Sequence, residues 1–553
     1  MRRPKIAAIA AFTVAVAGLV TAPAANAQPS PLAADGKVTL VRVEVTDAGQ
    51  AERLAGTDLD IMTIRPGRAQ LLLYGPSDER RLRTAGFVPT LLVADVAAAN
   101  RRARAAEDAQ AVRGERSGLP TGRVTYRTLS ETNDELRRIA ARYPDRVRRF
   151  KLPHKSLLGT DVYGLEISNR VHASGHKPSF LLTGMHHSRE WPTVDLTMEF
   201  AWDMLKNDYR DRRVTSLLDR AKLVVVPIVN PDGYEMSRSL VQEQKRKNCR
   251  VEDGKVPTRE QCADPANFAK GVDLNRNYGA FWGGPGAGFS TTTSNYRGAA
   301  PFSEPEIQNM RALLTSRQIT VAISNHTPDA RVLRAPSAPN EPTPAEEAAY
   351  DALGRKIAGH TGWQTGPWPE VYYDASGTTE EMAFYSSGTF AFTFENTPGH
   401  EGAYLFHPEY KYVVDQYLGT GIYKGSNVRE AFLAAFEGAA DRSLHSVIRG
   451  KAPAGRTLTI TKPFTLDSSA VRNPDGTTGP ALPVPTTVTS SMFHFPGGRF
   501  SWDVNPSLRP SQYESVLLPE SWTLTCSAFG KVRKTVTVSV ARGQTAEADL
   551  RGC

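Results

Sequence analysis

Hydrophobic and polar positions follow two different periods along this chain, and the changes between them divide it into three regions. Residues 38–45 alternate in steps of two, as a half-buried strand does. Residues 47–55 fit a short helix, 59–64 and 69–73 fit two strands around a Pro66-Gly67 turn, 77–85 a charged helix and 88–93 a closing strand. That β-α-β-β-α-β order predicts a small two-layer unit. Residues 97–122 are rich in Ala and Arg and predict a charged connector, helical in part.

From Tyr126 the pattern changes. Leu136, Ile139, Ala140 and Tyr143 lie at helical spacing and stop at Pro144. Residues 149–152 and 162–167 predict strands. The runs 180–184, 223–229, 320–325 and 390–394 are continuously apolar, as strands buried on both faces are. Helices are predicted between them, one capped by Ser303 over 304–314 and one from Pro344 to about 358 under a Thr343 cap. Strands alternating with helices predict an α/β fold, a mixed sheet with helices on both faces. After about residue 440 the helical period vanishes. Strands predicted at 457–460, 490–495, 513–518, 522–526 and 536–540 make an all-β, sandwich-like module.

Composition narrows the class. A chain of 553 residues with 40% hydrophobic and 23% charged residues is globular and multidomain. Its first residues read as a secretory leader: Arg2, Arg3 and Lys5, an apolar run over 6–20, then Ala25-Asn26-Ala27. Of the formal charge of +9, the leader supplies three, leaving +6. No basic stripe carries interleaved aromatics, so nucleic acid is excluded as an expected partner. No later run predicts a membrane span. Four cysteines suit an oxidising compartment, and the local pairs Cys249–Cys262 and Cys526–Cys553 are expected among three possible connectivities. The expected divisions are 1–27 (signal peptide), 28–118 (the small unit with its connector, a linker or an activation segment), 119–435 (the α/β region) and 445–553 (β module), in a secreted monomer.

The chemistry starts at His187 and Glu190, on the turn after the 180–184 run. An imidazole and a carboxylate three residues apart can close on one ion, although His-Xaa-Xaa-Glu also occurs in many helices by chance. His326, at the end of the 320–325 run, is the candidate third ligand. Asn275 and Arg276 form a donor pair suited to a carboxylate. Glu395 ends an apolar strand, where a carboxylate is costly without a partner or a task.

Gly184 to Trp191, Asn230-Pro-Asp-Gly233, Arg246-Lys-Asn248, Gly271-Val-Asp-Leu-Asn-Arg-Asn277, Ser324-Asn-His326, Tyr373-Asp-Ala-Ser-Gly377 and Phe392-Thr-Phe-Glu395 resemble, in that order, the motifs of the zinc carboxypeptidases of the carboxypeptidase A type. The resemblance covers roughly residues 126–432. It implies one Zn²⁺ per chain on His187, Glu190 and His326, with His186 a neighbour outside the ligand set. It implies Glu395 as general base, Arg246 as oxyanion partner, and Asn275 and Arg276 as the clamp for a substrate's terminal carboxylate. Tyr373 resembles the tyrosine that covers the substrate, and Arg189 a further donor to the peptide. Glu380 falls near the position that selects the departing side chain, where an acid favours Lys or Arg. Glu243 departs from the basic residue that animal digestive members carry three positions before Arg246. The resemblance also implies that 28–118 is a pro-domain with its linker and 119–435 the catalytic domain, and that the substrates are peptides or proteins with a free C-terminus. Two other readings stay open: a zinc peptidase or amidase on cell-wall peptides, and a non-catalytic metal-binding surface protein.

Overall fold

The apolar runs of the middle region form the centre of an eight-stranded mixed sheet. In spatial order its strands are Gln364–Pro367, Arg331–Arg334, Phe390–Glu395, Ile319–His326, Ser179–Thr183, Lys222–Val226, Asp161–Ile167 and Val147–Lys155. The structure, a computed structural model, describes residues 36–553 apart from 58, 66, 173–176, 340, 397–405 and 474. The expected leader lies outside the described residues.

The four strands from Phe390–Glu395 to Lys222–Val226 run parallel, so their C-terminal ends share one edge. Register sets Glu395 beside His326 and Thr183 beside Ser324. Every residue of Ser179–Thr183, Ile319–His326 and Phe390–Glu395 is buried, which is why these strands read as unbroken apolar runs. Val428–Ala440 and Pro192–Asn207 pack on the inner strands and Thr379–Ser387 on Phe390–Glu395. The helix expected to be capped by Ser303 is Pro305–Thr315 with Glu304 at its cap, because Pro305 takes the first helical position. The helix expected from Pro344 begins at Glu347 and runs to Gly359.

The N-terminal unit has the predicted element order. Its antiparallel sheet runs Asp60–Arg65, Arg68–Leu73, Thr39–Val43, Thr90–Val93, and helices Ala48–Ala55 and Pro76–Thr84 bring Leu54 and Leu82 into one core with Val41, Leu71 and Phe87. The connector is more regular than its composition suggested. Val96–Val112 is one helix, capped by Asp95, whose carboxylate accepts from the Ala98 N–H at 2.8 Å. It buries Asn100 and Glu107 against the middle region.

The C-terminal module sets a three-stranded sheet (Gly498–Val504, Ser446–Ala452, Thr545–Asp549) against a four-stranded one (Pro483–Phe495, Arg456–Asp467, Trp522–Ala528, Lys531–Val538), with Ile448, Leu458, Trp502 and Trp522 between them. The first of these sheets escaped the sequence pattern. Gly450 looks like a turn residue, yet it lies mid-strand, where a Cβ would come within 1.9 Å of the Ala548 carbonyl oxygen. The strand expected over 513–518 reduces to Leu517–Leu518, paired with Arg509–Pro510. Both expected disulfides, Cys249–Cys262 and Cys526–Cys553, are formed. Among the described residues no helix is long and apolar enough to cross a membrane.

Candidate metal centre and substrate cleft

The chain turns sharply after Ser179–Thr183, and this turn builds the site. At Gly184 a Cβ would stand 2.9 Å from the carbonyl oxygens of Pro227 and Thr193, so a side chain is excluded. Met185 follows in the left-handed region (φ 63°), and its N–H donates to the Thr193 hydroxyl. Residues 186–190 are thereby held at the strand edge before the helix Pro192–Asn207 begins.

His187, Glu190 and His326 converge there, with one donor atom of each within 4.8 Å of the others. His187 Nδ1 lies 2.8 Å from Glu190 Oε1, and His326 Nδ1 lies 3.1 Å from both Glu190 Oε2 and His187 Nδ1. The outer nitrogens are occupied: His187 Nε2 meets Asp273 Oδ1 at 2.9 Å, and His326 Nε2 meets the Ser324 hydroxyl at 3.0 Å. The inner nitrogens are thus left to face one point, the arrangement found around metal-bound imidazoles. Two nitrogens and a carboxylate, all buried, fit a borderline ion such as Zn²⁺ and leave a position open. His186 stays outside this set, between the Tyr278 hydroxyl (2.8 Å) and the Ser324 hydroxyl (3.1 Å).

Charge is organised around this centre. Arg246 donates to Asp273 Oδ2 at 2.8 Å and keeps Nη1 3.8 Å from Glu190 Oε1. Asp273 therefore orients both His187 and Arg246, and its own carboxyl is held well below the usual range, Arg246 and His187 outweighing burial. Glu395 lines the cavity with its Oε2 buried and without a hydrogen-bond partner among the described residues, and burial together with Glu190 pushes its carboxyl upward. Asn275 Oδ1 accepts from the N–H and hydroxyl of Thr379 at 3.0 and 2.9 Å, leaving its amide nitrogen to donate. Arg276 is 2% exposed, donates to the carbonyls of Gly286 and Asn275, and has no carboxylate partner among the described residues. Tyr373 lines the same cavity, its ring centroid 4.0 Å from that of Tyr372.

Two expected residues lie differently. Arg189 is engaged by the N-terminal unit: its guanidinium forks onto both oxygens of Asp60, the Nη2–Oδ1 arm at 2.6 Å. Although burial opposes it, Arg189 holds the Asp60 carboxyl low. Glu380 does not line the cavity. Its Oε1 accepts from the Trp368 indole N–H and its Oε2 from the Thr393 hydroxyl at 2.9 Å, while Trp368 itself faces the cavity.

Sequence reasoning assigned no role to Asp273, although Gly271-Val-Asp-Leu274 was in view; an acid two residues before an Asn-Arg pair was the available signal. It also missed that Ile61 and Met62 of the N-terminal unit line the cavity, leaving about 20 Å³ free. That is room for about one water. A larger cleft of about 1020 Å³ opens beside it, between Asp60 and Tyr74 on one wall and Arg189, Arg246 and Lys247 on the other.

A family model described as zinc carboxypeptidase matches residues 132–417. Carboxypeptidase A2 of Rattus norvegicus is 29% identical over 280 residues, 49% of this chain and 62% of that relative. Metallocarboxypeptidase A of Trichophyton rubrum is 26% identical over 217 residues, 37% of this chain and 48% of the relative. These matches span less than two thirds of either relative. Among solved structures, the carboxypeptidase A of Helicoverpa armigera superposes with a TM-score of 0.61 at 22% identity, covering 73% of this chain and 98% of that one. Thrombin activatable fibrinolysis inhibitor gives 0.58 at 19% identity, covering 73% and 98%. At these identities both structures speak for the fold alone.

Proposed function

The chain belongs to the zinc carboxypeptidase family, and from that membership and the cleft we propose that it hydrolyses the last peptide bond of peptides or proteins with a free C-terminus. The observation that carries this reading is Arg276. A guanidinium buried without a carboxylate is costly unless an anion arrives, and here it stands in the same cavity as the His187–Glu190–His326 set. A peptide's terminal carboxylate fits its planar fork, and the Asn275 amide adds a donor.

Zinc, when bound by His187, Glu190 and His326, supplies a Lewis acid and makes water acidic near neutral pH. The other steps belong to the chain. Arg276 and Asn275 hold the terminal carboxylate and so fix which bond is presented. Glu395 takes the proton of the attacking water and returns it to the departing amine. Arg246, held by Asp273, faces the negative charge that develops on the carbonyl oxygen. Tyr373 lies over the bound end and limits water.

The first region is read as a pro-segment. Supporting this, Asp60 occupies Arg189, and Ile61 and Met62 stand in the cavity. Asn100 and Arg104 of the helix Val96–Val112 donate to Glu243 at 3.1 and 2.7 Å. The leader and the two disulfides support export, and the chain acts as a monomer with one zinc.

The test uses the processed chain with paired peptides, free or amidated at the C-terminus, followed by mass. Release of single residues from the free peptides only, abolished by a chelator and restored by zinc, is the expected result. Equal cleavage of amidated peptides would overturn the clamp and turn the reading toward cell-wall amides.

A further inference from the structure

The acid that alignment offers for selecting basic residues is covered. Trp368 opens the short helix Trp368–Val371, is 1% exposed, and packs with Leu333 and Ala375 beside Tyr372 and Tyr373. Its N–H is spent on Glu380, and the other Glu380 oxygen is spent on Thr393. No cation pairs with Glu380 among the described residues, and burial raises its carboxyl above the usual range. The indole also lies next to the clamp, with the Arg276 guanidinium carbon 5.8 Å from its ring centroid. Trp368 and Arg276 line the same cavity, so the ring is a wall of the space that a residue held by Arg276 enters.

We propose that Trp368, anchored by Glu380, is the specificity-determining wall of the departing-residue pocket, and that it selects uncharged side chains over Lys and Arg. The inference rests on the carboxypeptidase reading. An entering cation would find no exposed acid and would have to displace that indole to reach Glu380, losing its hydration meanwhile. An apolar or aromatic side chain meets the same ring with no charge to desolvate. Glu380 is then a positioning residue, acting through Trp368.

The test compares wild type, Trp368→Gly, Glu380→Gln and the double variant, each processed, on peptides that differ only in a final Leu, Phe, Arg or Lys. Wild type is expected to favour Leu and Phe over Arg and Lys by at least about tenfold in kcat/KM. Trp368→Gly uncovers the acid and raises the Arg-to-Leu ratio by about tenfold or more, and adding Glu380→Gln removes that gain. General damage would lower all substrates together and leave the ratio unmoved. Should Trp368→Gly lose its circular dichroism signature, Trp368→Phe serves instead: it frees one Glu380 oxygen and raises the ratio by about threefold. A wild type that prefers Arg and Lys, with the preference erased by Glu380→Gln, overturns the proposal. So does a ratio unchanged in Trp368→Gly. If no peptide is cleaved at all, the catalytic reading fails, and the pocket is decided by calorimetric titration with free L-leucine and L-arginine. Tighter leucine in wild type and a reversed order in Trp368→Gly support the wall, and equal order in both sinks it.

Discussion

Among the described residues Arg276 donates to two backbone carbonyls and to no carboxylate, so its charge is left for an anion. Charge-assisted hydrogen bonds of this kind contribute about 1.5–3 kcal/mol each. Arg276→Ala is therefore expected to raise KM for free-carboxylate peptides by about 10- to 100-fold while kcat falls less. Steady-state kinetics on free and amidated pairs checks this, since the amidated peptide has nothing to lose. Glu395 gives a contrasting signature. Glu395→Gln keeps shape and size, so zinc content by elemental analysis should hold while kcat/KM drops by about 10²- to 10⁴-fold. Asp273 separates from both. It touches His187 and Arg246, which stand 86 and 27 residues away from it. Asp273→Asn should cost about 10- to 100-fold in zinc affinity, read by chelator competition. These three residues also mark what the sequence could tell. Arg276 and Glu395 stand out locally, as a charge beside an amide and a charge closing an apolar strand. Asp273 is marked locally only by its place two residues before Asn275-Arg276, and its role comes from the partners that the fold brings to it.

Among the elements, the helix Val96–Val112 carries the least expected chemistry. Its composition reads as an exposed connector, because Ala and Arg suit a solvated helix as well as a linker. What sequence could not reveal is the partner surface that buries Glu107. There the carboxylate accepts from the Tyr410 N–H at 2.7 Å, with Arg238, Asp108 and Glu409 near enough to act on its charge. Burial raises this carboxyl from its ordinary 4.5 to about 7. A group with a raised pKa in the docked state favours docking when protonated. Its contribution is full below the ordinary value and is lost as pH rises through about 7. His407, stacked on Trp191 and facing Asn100, works in the opposite sense: burial depresses it to about 4, so its contribution is lost only as pH falls below its ordinary 6.5. Raising pH from about 6.5 to about 8 should therefore weaken docking about fourfold through Glu107 and strengthen it about twofold through His407, a net weakening of about twofold. Binding of the cleaved N-terminal fragment, measured at both pH values, checks this. Glu107→Gln should leave only the opposite slope of His407, docking about twofold tighter at the higher pH, and an unchanged slope in that variant would refute the assignment.

At the scale of the whole molecule, the covered cleft and the exposed connection belong to one arrangement. The N-terminal unit has its own core, and the middle region has another that begins with Leu119. Between them residues 111–116 are all exposed, including Arg113 and Arg116. Beyond them the chain is tied down again, since the Thr121 N–H and hydroxyl donate to Glu199 at 2.9 and 2.6 Å. Exposed backbone between two folded units is where proteases cut first. Trypsin at low ratio is expected to cleave after Arg113 or Arg116 and to leave two folded fragments. Cleavage alone does not clear the cleft, because Ile61 and Met62 stay in the cavity while Asp60 holds Arg189. Hydrolysis of small peptides should therefore lag behind the cut seen on a gel and follow release of the fragment. Asp60→Asn removes the charge from one side of a buried ion pair, a loss of about 3–5 kcal/mol in such settings. In that variant the lag should shorten toward the time of cleavage. An intact chain that hydrolyses peptides at the rate of the cut one, or an Asp60→Asn variant with an unchanged lag, would show that the N-terminal unit does not govern the cleft.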